Sequence, residues 1–265
     1  MLMMRRLTDD ERRGVRHWAM EFVVVVVGVL LALWLQQWGE RRRALADMRD
    51  AEAAIHDEVR TALQQMMWRK AISKCHIERQ ELLKAMLLKS GGNWPGLKEN
   101  ALAVTLGKVP ESVIPSVYSR PFDTLTTAAW TSALTTGALA PMDRDKFTKL
   151  VAIYDQIENW RSARDDETDA VSKMSALAYP MRLTPELKAQ MLESVYRVDR
   201  ARFTFAMVSP ADFAASMREL GWDDTAEVDQ QIRKDTAETN GIGFVWRKCV
   251  VPVENPFRGP RPKRG

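Results

Sequence analysis

The sequence predicts an all-α protein: an N-terminal transmembrane helix continuing into a long stalk helix, then a helical-bundle-like domain with an irregular Pro-rich crossover. Three observations predict it. Residues 22–35 read FVVVVVGVLLALWL, fourteen apolar residues in a row. No proline occurs before Pro95, so nothing interrupts a helix that leaves this stretch. Beyond the crossover, apolar residues recur at three-and-four spacing behind residues that favour helix starts.

The anchor rests on its flanks as much as on its centre. Fourteen residues are too few to span a hydrocarbon core. Trp18 and Trp38 bracket 21 residues, about 31 Å of helix, and tryptophan favours the two membrane–water boundaries. Five consecutive valines leave no polar face for water, which argues against the core helix of a soluble protein. A cleaved signal peptide is disfavoured by the mixed charge of Asp9, Asp10 and Glu11 among arginines and by the lack of a small-x-small site before Trp34. Glu21 is the one charge inside the brackets. One turn from Trp18, it reads as a headgroup-level carboxylate within reach of His17, or more sharply as a polar contact to a partner helix or a proton-responsive group. Gly28 and Ala32 form a small-xxx-small pair that lets two helices approach in lipid, and Gln36 and Gln37 sit at the far boundary.

Residues 1–17 form a basic flank, 18–38 the transmembrane helix and 39–90 the juxtamembrane stalk. From Leu45 through Met48, Ala51, Ile55, Val59, Ala62 and Met66 the apolar spacing is that of an amphipathic helix or a short coiled coil. The proximal part reads as a dimer seam and the distal part, from Ile72 to Leu87, as packing against the body. Gly91 and Gly92 stop the helix, and residues 91–122, with Pro95, Pro110, Pro115 and Pro121, form the crossover.

The body is placed at 123–240. A small-residue helix over 123–136 ends at Gly137, and its alanines and threonines would let another helix approach closely. Asp143 precedes a long helix whose Phe147, Leu150, Tyr154, Ile157 and Trp160 share one side, a pattern that Val171, Met174 and Leu177 resume. Thr184-Pro185 and Ser209-Pro210 each set a capping hydroxyl before an N1 proline, so helices begin at 185 and 210. A last helix covers 225–238. Residues 241–265 read as an irregular basic tail, with short strands at 241–246 and 249–253 and disorder from Phe257 onward.

Charge agrees with this division. The chain of 265 residues has a net charge of +4, but residues 1–43 carry +3, residues 246–265 carry +5, and the remainder is −4. Basic ends on a mildly acidic body suit a lipid bilayer rather than nucleic acid, which needs positive charge gathered on one folded face. Orientation is nearly undecided by charge, with five arginines in the fifteen residues before Trp18 and four in the fifteen after Trp38. Retaining the short arginine-rich tail is easier than translocating it, which favours a body outside the cytoplasm. Cys75 and Cys249 read as two unrelated buried thiols, a bridge between them requiring an oxidising compartment.

No site chemistry stands out. His17, His56 and His76 are the only histidines. His56 and His76 lie about 30 Å apart along one helix and cannot share an ion, and Glu52 with His56 supplies two ligands at most. Asp165, Asp166 and Glu167 read as a solvated charge run. Phosphate-binding loops and a nucleophile elbow are missing. The expectation is therefore no catalytic residue, no cofactor and no metal.

Two stretches together, EFVVVVVGVLLALWLQQWGERRR at 21–43 and AAWTSALTTGAL with IYDQI at 128–157, resemble an uncharacterised family of bacterial single-pass inner-membrane proteins. There, a valine-rich anchor precedes a helical domain with a Trp-centred, Gly-terminated helix. The resemblance implies a bacterial inner membrane and an all-helical body, and it transfers no functional residue. The functional expectation is a non-enzymatic, membrane-anchored interaction or sensory-type protein, homodimeric through anchor and stalk. A tethered helical bundle that binds a small ligand is the alternative, favoured by a dry pocket between 123–136 and 143–160. An enzyme built on scattered carboxylates ranks third.

Overall fold

A computed structural model describes residues 9–97, 117–118, 125–241 and 251–258, with the side chains of 9–17, Ala19 and 236–241 excepted. The architecture is all-α. Anchor and stalk are one unbroken helix, α1 (Asp9–Lys89), of 81 residues, about 120 Å long. Around its distal half pack α2 (Ala128–Thr136), α3 (Arg144–Lys173), α4 (Pro185–Met207), α5 (Pro210–Glu219) and α6 (Thr225–Gly241).

Polar contacts along α1 define the topology. Lys146 pairs with Glu52, Tyr154 bonds Glu58 and Glu167 bonds Arg69, so α3 runs parallel to α1. Lys188 reaches the Leu88 carbonyl and Gln80 the Val195 carbonyl, so α4 returns antiparallel. Two cores result. The first gathers Ile55, Val59, Leu63 and Met66 of α1 against Leu150, Ile153, Ile157 and Trp160 of α3 and Phe213, Ala214 and Met217 of α5. The second gathers Leu83 and Leu87 against Ala170, Met174, Leu177, Val195 and Val198.

Helix starts follow their capping chemistry. The Asp143 carboxylate accepts from the N–H groups of Asp145 (2.9 Å) and Lys146 (3.1 Å). Thr184 and Ser209 each accept one N–H in front of the N1 proline, fixing the starts of α4 and α5. Gly137 ends α2 in the left-handed region at φ 71°, where a Cβ is disfavoured.

Several expectations need correction. The stripe from Leu45 to Met66 is not a free dimer seam over its length. Ile55, Val59, Ala62 and Met66 are buried by the chain's own body, which leaves only residues 39–50 clear of it, about 18 Å of helix. The helix placed at 123–136 begins at Ala128; residues 125–127 are non-helical and 123–124 lie outside the described residues. Within the crossover, β1 (Asn93–Trp94) pairs antiparallel with β2 (Met181–Arg182). Gly96 lets this turn close, since a Cβ there would stand 2.8 Å from the Pro180 nitrogen.

The tail also differs. Residues 251–253 are not a strand, and 242–250 lie outside the described residues. Pro256–Arg258 form a 3-10 turn with Phe257 buried. Arg218 donates to the Phe257 carbonyl (2.9 Å), and Asn255 bonds the Thr225 carbonyl and the Asp229 carboxylate.

Candidate functional site

The residues singled out in the anchor all lie on α1, and the body covers none of them. Even Val26, the least exposed of the five valines, keeps 37% of its surface open, and Trp18 keeps 75%. Soluble proteins rarely leave a contiguous apolar surface of more than a few hundred Å² uncovered. A belt of fourteen such residues calls for a covering from outside the chain. Gly28 has nothing within 4 Å of where a Cβ would stand, and Ala32 is exposed beside it. Gln36 donates to Glu40 (2.8 Å). Arg42 lies over the Trp38 ring at 3.9 Å. Glu21 is exposed; the side chain of His17, its expected partner, lies outside the described residues.

Beyond the anchor, α1 carries buried polar groups that bind the body to it. Glu58 is the first. Its carboxylate accepts the N–H groups of Ala129 (3.3 Å) and Trp130 (3.2 Å) and the Tyr154 hydroxyl (2.8 Å). Thr127, at the N-cap of α2, makes no side-chain cap bond, so a carboxylate from α1 does that work, favoured by the positive end of the helix dipole. Arg161 adds a bond to the Thr127 hydroxyl (3.1 Å). Burial, then the bond to Glu58 and its charge, raise the Tyr154 phenol above its ordinary range.

Arg69 and Glu167 make the second contact, at 2.8 Å with both side chains buried. The Arg69 guanidinium also lies 3.9 Å from the Phe205 ring centroid. This corrects the reading of 165–167 as a solvated run. Asp165 and Asp166 do face outward, pairing with Arg164 and Arg197, while Glu167 points into the fold. His76 is the third, buried with Nδ1 2.6 Å from the Tyr118 hydroxyl. Burial, with the Arg69 charge adding to it, pushes its imidazole down to about 3, so it is neutral at physiological pH.

Glu52 turns to Lys146 while His56 bonds Asp224 (2.9 Å) and stacks on Trp222 at 4.6 Å. Among the described residues no group of three or more His, Cys, Asp or Glu is placed to hold an ion. Aromatic rings from α2 and α3 meet between the two helices, where the alternative reading expects a dry pocket. Trp130 stacks on Tyr154 with centroids 4.6 Å apart and meets Phe147 at 5.7 Å. A depression of about 600 Å³ on the outer face of α4, lined by Glu193, Tyr196, Arg197 and Arg200, is wide open to solvent.

Cys75 also departs from expectation, because it is disulfide-bonded. The sequence holds one other cysteine, Cys249, which lies outside the described residues.

Together, fold and surface define an all-α protein with, among the described residues, one helix long and apolar enough to cross a membrane, carried directly into its folded body. No protein-family model, curated protein or solved structure matches the chain.

Replacing Glu58 by alanine is expected to destabilise the body by about 2–3 kcal/mol, since two helix N–H groups and a buried phenol lose their acceptor. Tyr154 gives a further check. Its phenol ionises less readily folded than unfolded, so the associated stability is complete below about pH 10, the unfolded value, and declines as pH rises past it. Urea unfolding from pH 9 to 11 should show that decline, and Glu58→Gln should shrink it.

Proposed function

We propose that this chain is a non-enzymatic, membrane-tethered interaction or sensory-type protein of a bacterial inner membrane, with its body on the periplasmic side. One observation carries the reading. A single unbroken helix has an apolar end that no described residue buries, while its other end is built into both cores of the body. A displacement or rotation of α1 in the membrane would therefore reach the body directly, without a flexible joint to absorb it. The disulfide at Cys75 supports the periplasmic side, since such bonds persist in oxidising compartments. The resemblance of residues 21–43 and 128–157 supports the bacterial inner membrane.

Self-association is part of the proposal and belongs to the anchor and the first turns beyond it. Gly28 and Ala32 offer close approach, and Leu45 and Met48 remain partly exposed. Ile55 is fully buried and cannot reach a partner. Single cysteines placed at positions 28, 32 and 48, with Cys75 and Cys249 changed to serine, should cross-link in membranes on one helix face. Uniform failure removes the dimer.

Paired C-terminal reporter fusions test the side. One that works only in the periplasm should be active and one that works only in the cytoplasm silent. The reverse result, or a Cys75 that alkylates without reductant in freshly isolated membranes, contradicts the periplasmic placement.

A further inference from the structure

We propose that Arg41, Arg42 and Arg43 form a headgroup site for anionic phospholipids at the body-side boundary of α1, an inference that rests on the membrane-anchored reading above. These arginines lie three to five residues beyond Trp38, about 4.5–7.5 Å, and the headgroup layer adds roughly 5–7 Å to each side of the hydrocarbon core. Asp47 and Asp50 stand at least nine residues beyond Trp38, about 13 Å or more, outside that layer.

Direction adds to distance. Side chains on a helix lean toward its N-terminus, which for α1 is the direction of the apolar segment, and this inclination favours the bilayer side for arginines at these positions. The Arg42 guanidinium lies over the Trp38 ring at 3.9 Å, which holds a cation beside the residue that marks the boundary. Glu40, adjacent to Arg41 in sequence, accepts from the Gln36 amide (2.8 Å). The three arginines are exposed and have no ion-pair partner among the described residues. A planar guanidinium presents paired N–H donors that match phosphate oxygens. Three of them in the headgroup layer fit phosphodiesters with net negative charge, whereas zwitterionic headgroups return a positive charge to the site.

Full-length protein reconstituted in nanodiscs of equimolar phosphatidylcholine and phosphatidylglycerol tests the site, with the lipid retained after mild detergent release read by native mass spectrometry. The retained lipid should be enriched severalfold in phosphatidylglycerol. The variant R41Q/R42Q/R43Q should lose about fivefold of that enrichment, the change expected for even one basic residue at an anionic surface. Equal retention of both lipids by the wild type, or enrichment unchanged in the variant, overturns the inference. So does displacement of the lipid by inorganic phosphate at matched concentration, which would make the ligand a free anion. A chain that enters the discs but shows no preference removes this site alone, while a chain that does not enter them removes the anchor on which it stands.

Discussion

Arg69→Met is expected to destabilise the body by about 3–5 kcal/mol, because it leaves the Glu167 carboxylate buried without its counter-charge. Glu167 is 2% exposed and sits on α3, 98 residues from its partner. The double change Arg69→Met with Glu167→Leu should recover most of the loss, since two apolar side chains can fill that volume without a stranded charge. Urea unfolding of the detergent-solubilised full-length chain, followed by circular dichroism, measures both. A single variant as stable as the wild type would mean that water or another cation reaches Glu167. That would contradict the close packing of α3 against α1 on which the continuity of stalk and body depends.

Acid should weaken the same region through His76. Its imidazole is held at about 3 by burial and by the Arg69 charge, against about 6.5 in an unfolded chain. Between those values the unfolded chain binds the proton and the folded one does not. The stability is therefore fully present above about pH 6.5 and is lost as pH falls toward 3, by about 2 kcal/mol between pH 7 and 5. Ordinary carboxylates titrate at about 4, below that interval, whereas an ordinary imidazole titrates within it. His76→Asn should lower stability at pH 7 and flatten the slope between pH 7 and 5. A wild-type midpoint constant over that range would show that His76 takes up its proton in the folded state, contrary to its burial.

Much of the fold is legible because helix boundaries are written in local chemistry. Asp143, Thr184-Pro185 and Ser209-Pro210 mark three starts and Gly137 one end, each acting over a few residues of its own helix. The side of α3 that carries Leu150, Tyr154, Ile157 and Trp160 is legible for the same reason, since a 3.6-residue period is a local property.

What periodicity hides is the identity of the partner. An apolar stripe from Ile55 to Met66 satisfies a second copy of the helix as well as it satisfies α3 and α5, and only the tertiary fold decides between them. Buried polar groups are harder still. Glu58, Arg69, His76 and Glu167 look like surface residues one at a time, and each becomes intelligible only beside a group 42 to 98 residues away. The N-terminus of α2 is hidden in the sequence for the same reason, because its capping carboxylate comes from α1 and not from its own neighbourhood. Composition predicts disorder around Phe257, though Arg218 and Asn255 hold the turn there through groups distant in sequence.

For the anchor the reverse holds: its residues were legible and its physics is local, but its surroundings are absent from the chain. Among the described residues nothing covers the valines, which leaves lipid, another protein or removal by cleavage. Alkaline carbonate extraction of cell membranes, followed by intact-mass measurement of the full-length chain, separates these outcomes most directly. An uncleaved chain that stays in the membrane pellet is the expected result. A chain released to the supernatant, or one that has lost its residues up to Trp38, would contradict the account.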